Sequence, residues 1–416
     1  MYADTVRTAL AVPRFSSTTA KAVAIAAAIA AIGVVVMRRE FNIGAFWLIG
    51  IAFGVIIQRS RLCFAGAFRN LVMSGDGRLM RAILVGLGLA TVGFGLLMAR
   101  FVPDPSLGGT LPQGAYIQPV GFATLAGGVM FGIGMVLAGG CMVGTLWRMG
   151  EGYLNSWIAM GGIFGGLWAA SRTWNWWWAH DISKRRAIWL PAEIGMAQAI
   201  VLSLAVLAAL VALYLLVLWW ESRSPQMPEP APKPEPPAFS VRDHLEGAWR
   251  RFFSGNGWAF LTGATALATL NVFAYALKAP LGVTGELGAW ADRTAGMFGG
   301  GALPLTGSDS LGGCVVAAGA SWLTDRTMLV TGIIGGAFAA SVLSNEFRLR
   351  WSRQPSRYPQ LLVGGLLMGY GAVLGIGCTI GAFFSSIPSL AVAGWIFGFG
   401  LLGGAFLGVQ LIRRLR

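Results

Sequence analysis

Two cysteines of this chain occupy the same point of a repeated element. The stretch Gly127-Gly-Val-Met-Phe-Gly-Ile-Gly-Met-Val-Leu-Ala-Gly-Gly-Cys141-Met-Val-Gly144 returns, diverged, as Gly364-Gly-Leu-Leu-Met-Gly-Tyr-Gly-Ala-Val-Leu-Gly-Ile-Gly-Cys378-Thr-Ile-Gly381, 237 positions later. Both copies end in Gly-Cys-x-x-Gly, with Gly140 and Gly144 around Cys141 and Gly377 and Gly381 around Cys378. Each element opens a new apolar segment directly after another ends, so each cysteine is expected at the N-terminal start of a short half-helix. Unpaired N–H groups and the positive end of the helix dipole meet there, which suits a bound anion. A thiol adds a weak donor and a polarisable sulfur.

A third cysteine lies in Ile57-Gln-Arg59-Ser-Arg61-Leu-Cys63-Phe-Ala-Gly66-Ala-Phe-Arg69-Asn. Charge at membrane depth is expensive unless paired or solvated, so these arginines need a reason. Either they snorkel from a cytoplasmic loop, or Arg61 and Arg69 set the local field for an anion passing Cys63. The matching region of the second half is expected at Leu281-Gly-Val-Thr284-Gly285-Glu286-Leu, which carries a carboxylate and no cysteine. Glu286 reads equally as a proton-coupling group and as a hydrogen-bonded structural acid. Cys314, the fourth cysteine, matches no motif. With no CxxC and only two histidines, both in polar segments, neither a structural zinc site nor a haem is expected, and no cofactor is implied. No P-loop or catalytic triad is visible.

The surroundings are those of a membrane protein. The 416 residues are 56% hydrophobic and 12% charged, against roughly 25% charged in soluble domains. Mean hydropathy is +0.66. A net charge of +14 would suggest nucleic acid in a soluble chain. Here most basic residues flank apolar spans, so positive-inside anchoring and attraction to anionic lipid explain them, and no nucleic acid is implied. Sixty glycines in a helix-rich chain point to close helix contacts and broken helices.

About ten apolar runs approach the roughly 20 residues that cross a bilayer. They are Ala22–Met37, read as a retained helix, Phe41–Gln58, Ile83–Ala99, Val120–Gly139, Tyr153–Ala170, Ala187–Trp220, Gly257–Ala276, Met328–Leu343, Leu361–Gly377 and Leu390–Ile412. Residues 221–255 open with a proline-rich, solvated linker. The expected organisation is a first transmembrane repeat over 41–171, a connecting helix over 187–220, the cytoplasmic linker, and a second repeat over 256–412. Placing the linker, the arginines of 345–360 and the C-terminus in the cytoplasm gives the halves opposite orientation, though Arg38-Arg39 and Lys184-Arg185-Arg186 then lie outside. The fold class is thus an all-α polytopic membrane protein. It is built as two inverted repeats with short re-entrant half-helices around a central pathway, an architecture used by transporters. Trp174-Asn-Trp-Trp-Trp178 reads as an interfacial aromatic belt.

Taken together, RSRLCFAGAFRN, GIGMVLAGGCMVGTLWRMGEG and GYGAVLGIGCTIGAFFSSIP resemble the YeeE/YedE sulfur-transport family of bacterial inner-membrane proteins. The resemblance covers both halves, from about Phe41 to Ile412. It implies uptake of thiosulfate, with some relatives linked to selenium metabolism, through an hourglass-shaped inverted repeat. By motif, the cysteines lining its narrow centre would be Cys63, Cys141 and Cys378. No fused sulfur-carrier domain is expected, so a small cytoplasmic carrier, if one is needed, is expected to be a separate protein.

On this reading, neutral thiols contact the soft terminal sulfur of the anion while backbone N–H groups take its oxygens. Several weak sites in series permit both entry and exit. A thiolate would repel a dianion. Three alternatives stay open on the residues alone: another sulfur or selenium species, a membrane thiol–disulfide or persulfide-transfer enzyme, and an assembly protein whose cysteines only fill space.

Overall fold

The computed structural model describes residues 40–102, 111–112, 114–222, 257–300, 303–308, 311, 323–352 and 354–415, with a few positions between 24 and 33. Cys314, most of the Ala22–Met37 run and nearly all of the linker lie outside the described residues. The described elements are helical. In chain order they are α1 (Phe41–Ser60), α2 (Phe64–Ser74), α3 (Arg78–Phe101), α4 (Phe122–Ala138), α5 (Met142–Gly150), α6 (Leu154–His180), α7 (Leu190–Ile194) and α8 (Met196–Ser222). Beyond the linker come α9 (Phe260–Leu277), α10 (Thr284–Gly296), α11 (Asp325–Leu343), α12 (Arg357–Leu374), a π-helical turn (Thr379–Ser385) and α13 (Val392–Leu415).

Among the described residues, seven helical segments are long and apolar enough to cross a bilayer, or eight counting α12 with the π turn, which are bent by 46° at their junction. The chain is a multi-pass membrane protein. The expected single span Ala187–Trp220 is instead two helices. Pro191 sits in the first turn of α7, and Gly195 at φ 88° ends it before α8 begins. A residue with a Cβ would be strained there, so the glycine sets the break between the short helix and α8.

Helices on either side of the linker exchange partners. α1 packs along α11, α3 along α9, α6 along α12, and α4 lies between α12 and α13. Glycines four residues apart make these contacts close. Gly128 and Gly132 of α4 face Gly400 and Gly404 of α13, and a Cβ on Gly128 or Gly400 would stand 2.7 Å from a backbone oxygen of the opposing helix. Gly162 and Gly166 meet Gly365 and Gly369 in the same way, as Gly50 and Gly54 meet Gly332 and Gly336. Small residues in these stripes let backbones approach where lipid supplies no hydrophobic drive between helices.

Two sequence expectations change character in the folded chain. Trp174 is fully buried, stacks on Trp178 and donates Nε1–H to the Thr306 carbonyl at 2.9 Å, so it packs the interior and is no belt residue. Trp176, 56% exposed, keeps the outward position. In the basic cluster that disagreed with the charge rule, Arg185 pairs with Asp181 at 2.9 Å. Asp181 also accepts from the Ala123 N–H at 2.7 Å in the first turn of α4. That arginine thereby helps to tie the end of α6 to the start of α4.

Candidate functional site

Three short helical elements begin at cysteines. Cys63 is the N-cap of α2, Cys141 of α5 and Cys378 of the π turn. Each follows the same backbone break: the residue two positions upstream is left-handed, at φ 54° for Arg61, 73° for Gly139 and 53° for Ile376. Only glycine adopts this conformation freely, and for a β-branched residue it is strained. Ile376 is held there by the Gly377 N–H, which donates to the Ala372 carbonyl at 2.7 Å, while the Tyr116 hydroxyl donates to the Ile376 carbonyl at 3.4 Å. The break stops one helix and aims the next helix start inward.

The three caps converge. All three thiols are buried, with Cys378 at 0% and Cys141 at 1% exposure. A Cβ placed on Gly144 would lie 3.4 Å from Cys141 Sγ and 3.7 Å from Cys63 Sγ, so this glycine separates two sulfurs. The Cys141 thiol interacts with the Thr379 hydroxyl and is within electrostatic reach of both Cys63 and Cys378. Phe64 and Phe68 of α2 pack edge-on against Phe384 and Phe383 of the π turn, with centroids 5.5 and 5.8 Å apart. Two of the sulfurs accept backbone N–H bonds, Cys63 from Gly66 at 3.4 Å and Cys141 from Gly144 at 3.3 Å. Cys378 makes no such cap bond.

The remaining expected site residues divide. Gly140 and Gly377 sit immediately before their cysteines. A Cβ on Gly140 would come within 3.0 Å of Arg148, and one on Gly377 within 3.1 Å of the Tyr116 hydroxyl. Gly381 is buried inside the π turn, where its carbonyl accepts from the Ser386 N–H at 3.0 Å. Arg61 does not face the thiols with a free charge. It is bonded to Glu151 at 2.9 Å and to Glu346 at 2.9 Å, in a cluster with Arg59 and Arg350 that ties the ends of α1, α5 and α11 together. Glu286 is likewise committed: it accepts from Thr327 at 2.6 Å and Thr324 at 3.1 Å, with Arg293 at 3.7 Å. Arg69 lines a polar cavity of about 710 Å³ together with Asn70, Ser356, Arg357 and Gln360, and Gly139 forms part of the cavity wall.

Sequence reasoning missed Arg148 and Thr379. Arg148, on the second turn of α5, donates Nη1–H to the Gly139 carbonyl, and its Nη2 stands 4.0 Å from Cys63 Sγ. Its guanidinium therefore bridges the cavity wall and a thiol. The available signal was one arginine seven residues past Cys141 in an apolar half-helix. Thr379 is fully buried, and its hydroxyl has no conventional hydrogen-bond partner. Gln118 is also buried with both amide atoms unpartnered, two residues beyond Tyr116. Nothing in the sequence marks Gln118, because the segment that carries it is an irregular loop.

A buried cluster of three thiols, one guanidinium and a hydroxyl can hold a small anion with a soft atom. No group of three or more metal-ligating side chains occurs among the described residues. Residues 59–407 match the family described as Sulphur transport. The chain belongs to this family. Two full-length relatives are the thiosulfate transporter TsuA of Spirochaeta thermophila, 31% identical over 88% of this chain and 98% of the relative, and TsuA of Escherichia coli, 29% identical over 83% and 88%. A shorter similarity, 32% over 30% of this chain and 28% of the relative, is to the probable transporter YedE of Salmonella typhimurium. Membership sets the chain among transporters rather than enzymes.

Proposed function

We propose that the protein takes up a small sulfur-containing anion, thiosulfate foremost, and that Cys63, Cys141 and Cys378 pass it along at a central constriction. The observation that carries this reading is the convergence of three helix starts, each with a cysteine at its N-cap position, on one buried point. The names of the two full-length relatives support the choice of substrate. The oxygens of the dianion suit the Arg148 guanidinium and the amides at the helix starts, and its terminal sulfur suits neutral S–H groups. Protonated thiols are required, since a buried thiolate would repel the dianion at close range.

The cavity lined by Arg69 and Arg357 is the vestibule on this reading, and Arg148 hands the anion from its wall to Cys63. The exchange of helix partners across the linker supports two inverted repeats, 41–171 and 256–412, whose broken helices re-enter the bilayer around the site. The membrane on this reading is the bacterial inner membrane, with a small sulfur-carrier protein on the cytoplasmic side as a candidate partner.

The test is solute uptake by the purified chain in lipid vesicles, comparing labelled thiosulfate, sulfate and selenite. Thiosulfate is expected to accumulate and sulfate, which lacks a soft terminal atom, to be excluded. Equal uptake of sulfate, or selenite in preference to thiosulfate, would overturn the assignment.

A further inference from the structure

A cavity of about 410 Å³ lies away from the thiols, between α8 on one side and α2, the π turn and α13 on the other, with α3 as its floor. Its walls are almost wholly apolar, including Phe68, Leu84, Leu210, Phe383, Ile387 and Phe399. α3, α8 and α13 are all long and apolar enough to span the bilayer, so the groove lies at membrane depth. α8 is packed mainly against α3, and only 11% of its apolar window is buried. Leu213 and Phe399, which face the same region, are 60% and 63% exposed.

One end of the groove is polar. The Tyr214 hydroxyl accepts from the Gly77 N–H at 2.7 Å and donates to the Gly75 carbonyl at 3.2 Å. The Arg81 guanidinium lies over the Tyr214 ring, 5.3 Å from its centroid, and its Nε is buried without a hydrogen-bond partner. The neighbouring carboxylate, Asp76, is ion-paired with Arg78 at 2.9 Å and is within electrostatic reach of Arg81 without bonding to it.

We infer that this groove is a binding site for an anionic phospholipid, with its acyl chain along Leu210 and Phe399 and its phosphate on Arg81. An apolar slot at membrane depth ending in a cation matches an acyl chain with a charged head. The occupancy has a consequence for transport. Phe68 belongs to the helix capped by Cys63, and Phe383 and Ile387 follow Cys378, so the acyl chain buttresses two of the three thiol-bearing elements from behind. That consequence rests on the uptake reading above; the binding itself does not.

The experiment uses the full chain purified in mild detergent. Native mass spectrometry with added phosphatidylglycerol or phosphatidylcholine reads lipid retention for wild type, Arg81→Gln and Arg81→Lys. Wild type is expected to retain phosphatidylglycerol in preference, Arg81→Gln to hold it about fivefold more weakly, as one cation near an anionic lipid implies, and Arg81→Lys to keep most of it. Uptake in phosphatidylcholine vesicles is then expected to rise when phosphatidylglycerol is added to wild type and not to Arg81→Gln. Equal retention by wild type and Arg81→Gln would overturn the site. So would cross-linking of Leu213→Cys to Phe399→Cys between two copies, which would make the occupant a second chain. Retention without any thiosulfate uptake would leave the lipid site standing and count against the transport reading alone.

Discussion

Cys141 and Cys378 end the same duplicated sequence, yet they begin different structures. After Cys141 the chain is an ordinary α-helix: Thr145 N–H returns to the Cys141 carbonyl at 2.8 Å, and the thiol itself accepts from Gly144 N–H. After Cys378 the turn widens to π form, with Ser386 N–H donating to Gly381 at 3.0 Å. The wide turn is pinned from outside by Asn271, whose side chain donates to Phe384 and Ser385 and accepts from Leu281 N–H at 2.9 Å. Ser385 stands where the first copy has Arg148, eight positions from the start of each cysteine's turn when the cysteine is counted. One copy therefore supplies a guanidinium and a tied sulfur, and the other an untied sulfur beside the Thr379 hydroxyl. Duplication supplied two similar helix starts, and divergence put an arginine on one and left the sulfur of the other without a cap bond. π turns recur at functional sites for this kind of reason, because the widened backbone re-aims side chains.

The comparison can be broken most forcefully at Arg148. Arg148→Gln keeps a hydrogen-bonding amide on a shorter stem but removes the charge, and is expected to lower thiosulfate uptake about tenfold or more, ~1.4 kcal/mol in the barrier, with Arg148→Lys retaining part of the rate. Uptake unchanged in both variants would mean that the charge of the first copy plays no part. Next comes Gly144→Ala. Its methyl would make ordinary contacts with the Cys141 and Cys63 sulfurs, so the fold should tolerate it while the space between two thiols fills. Uptake is expected to fall several-fold with an unchanged melting temperature.

Thr379→Val sharpens the second copy. It removes a buried hydroxyl that lacks a conventional partner, so stability should hold or rise slightly. A drop of about fivefold in apparent affinity for thiosulfate, one hydrogen bond of ~1 kcal/mol, is expected in a KM measurement. The smallest effect on transport is expected from Gly128→Ala, which belongs to neither site. Its methyl would press on the Phe397 carbonyl at 2.7 Å, so thermal unfolding should show a loss of about 1–3 kcal/mol while uptake per folded molecule stays near wild type.

Much of this arrangement was legible in the chain because it was written twice. The repeat located Cys141 and Cys378, and the start of an apolar run after each located a helix end. Arginines in an apolar stretch drew attention to Cys63, and the resemblance grouped it with the other two. What stayed hidden was whatever depends on distant partners. Arg61 reads as a free cation in its own segment, and only the fold brings Glu151 and Glu346 to it. Glu286 reads equally as a proton-coupling group and as a hydrogen-bonded structural acid, and the fold supplies Thr324 and Thr327 as its partners. The π form of the second copy depends on Asn271, more than a hundred positions upstream, and no local pattern distinguishes it from the α form of the first. The break at Gly195 was passed over because apolar residues continue on both sides of it.

The central claim is that three sulfurs from distant parts of the chain serve one anion at one place. It is tested most directly by uptake of labelled thiosulfate into vesicles holding equal amounts of folded wild type, Cys63→Ala, Cys141→Ala or Cys378→Ala. Each single variant is expected to lose most of its uptake, with Cys378→Ala, which removes the sulfur that makes no cap bond, falling furthest. Wild-type rates in all three would contradict the account.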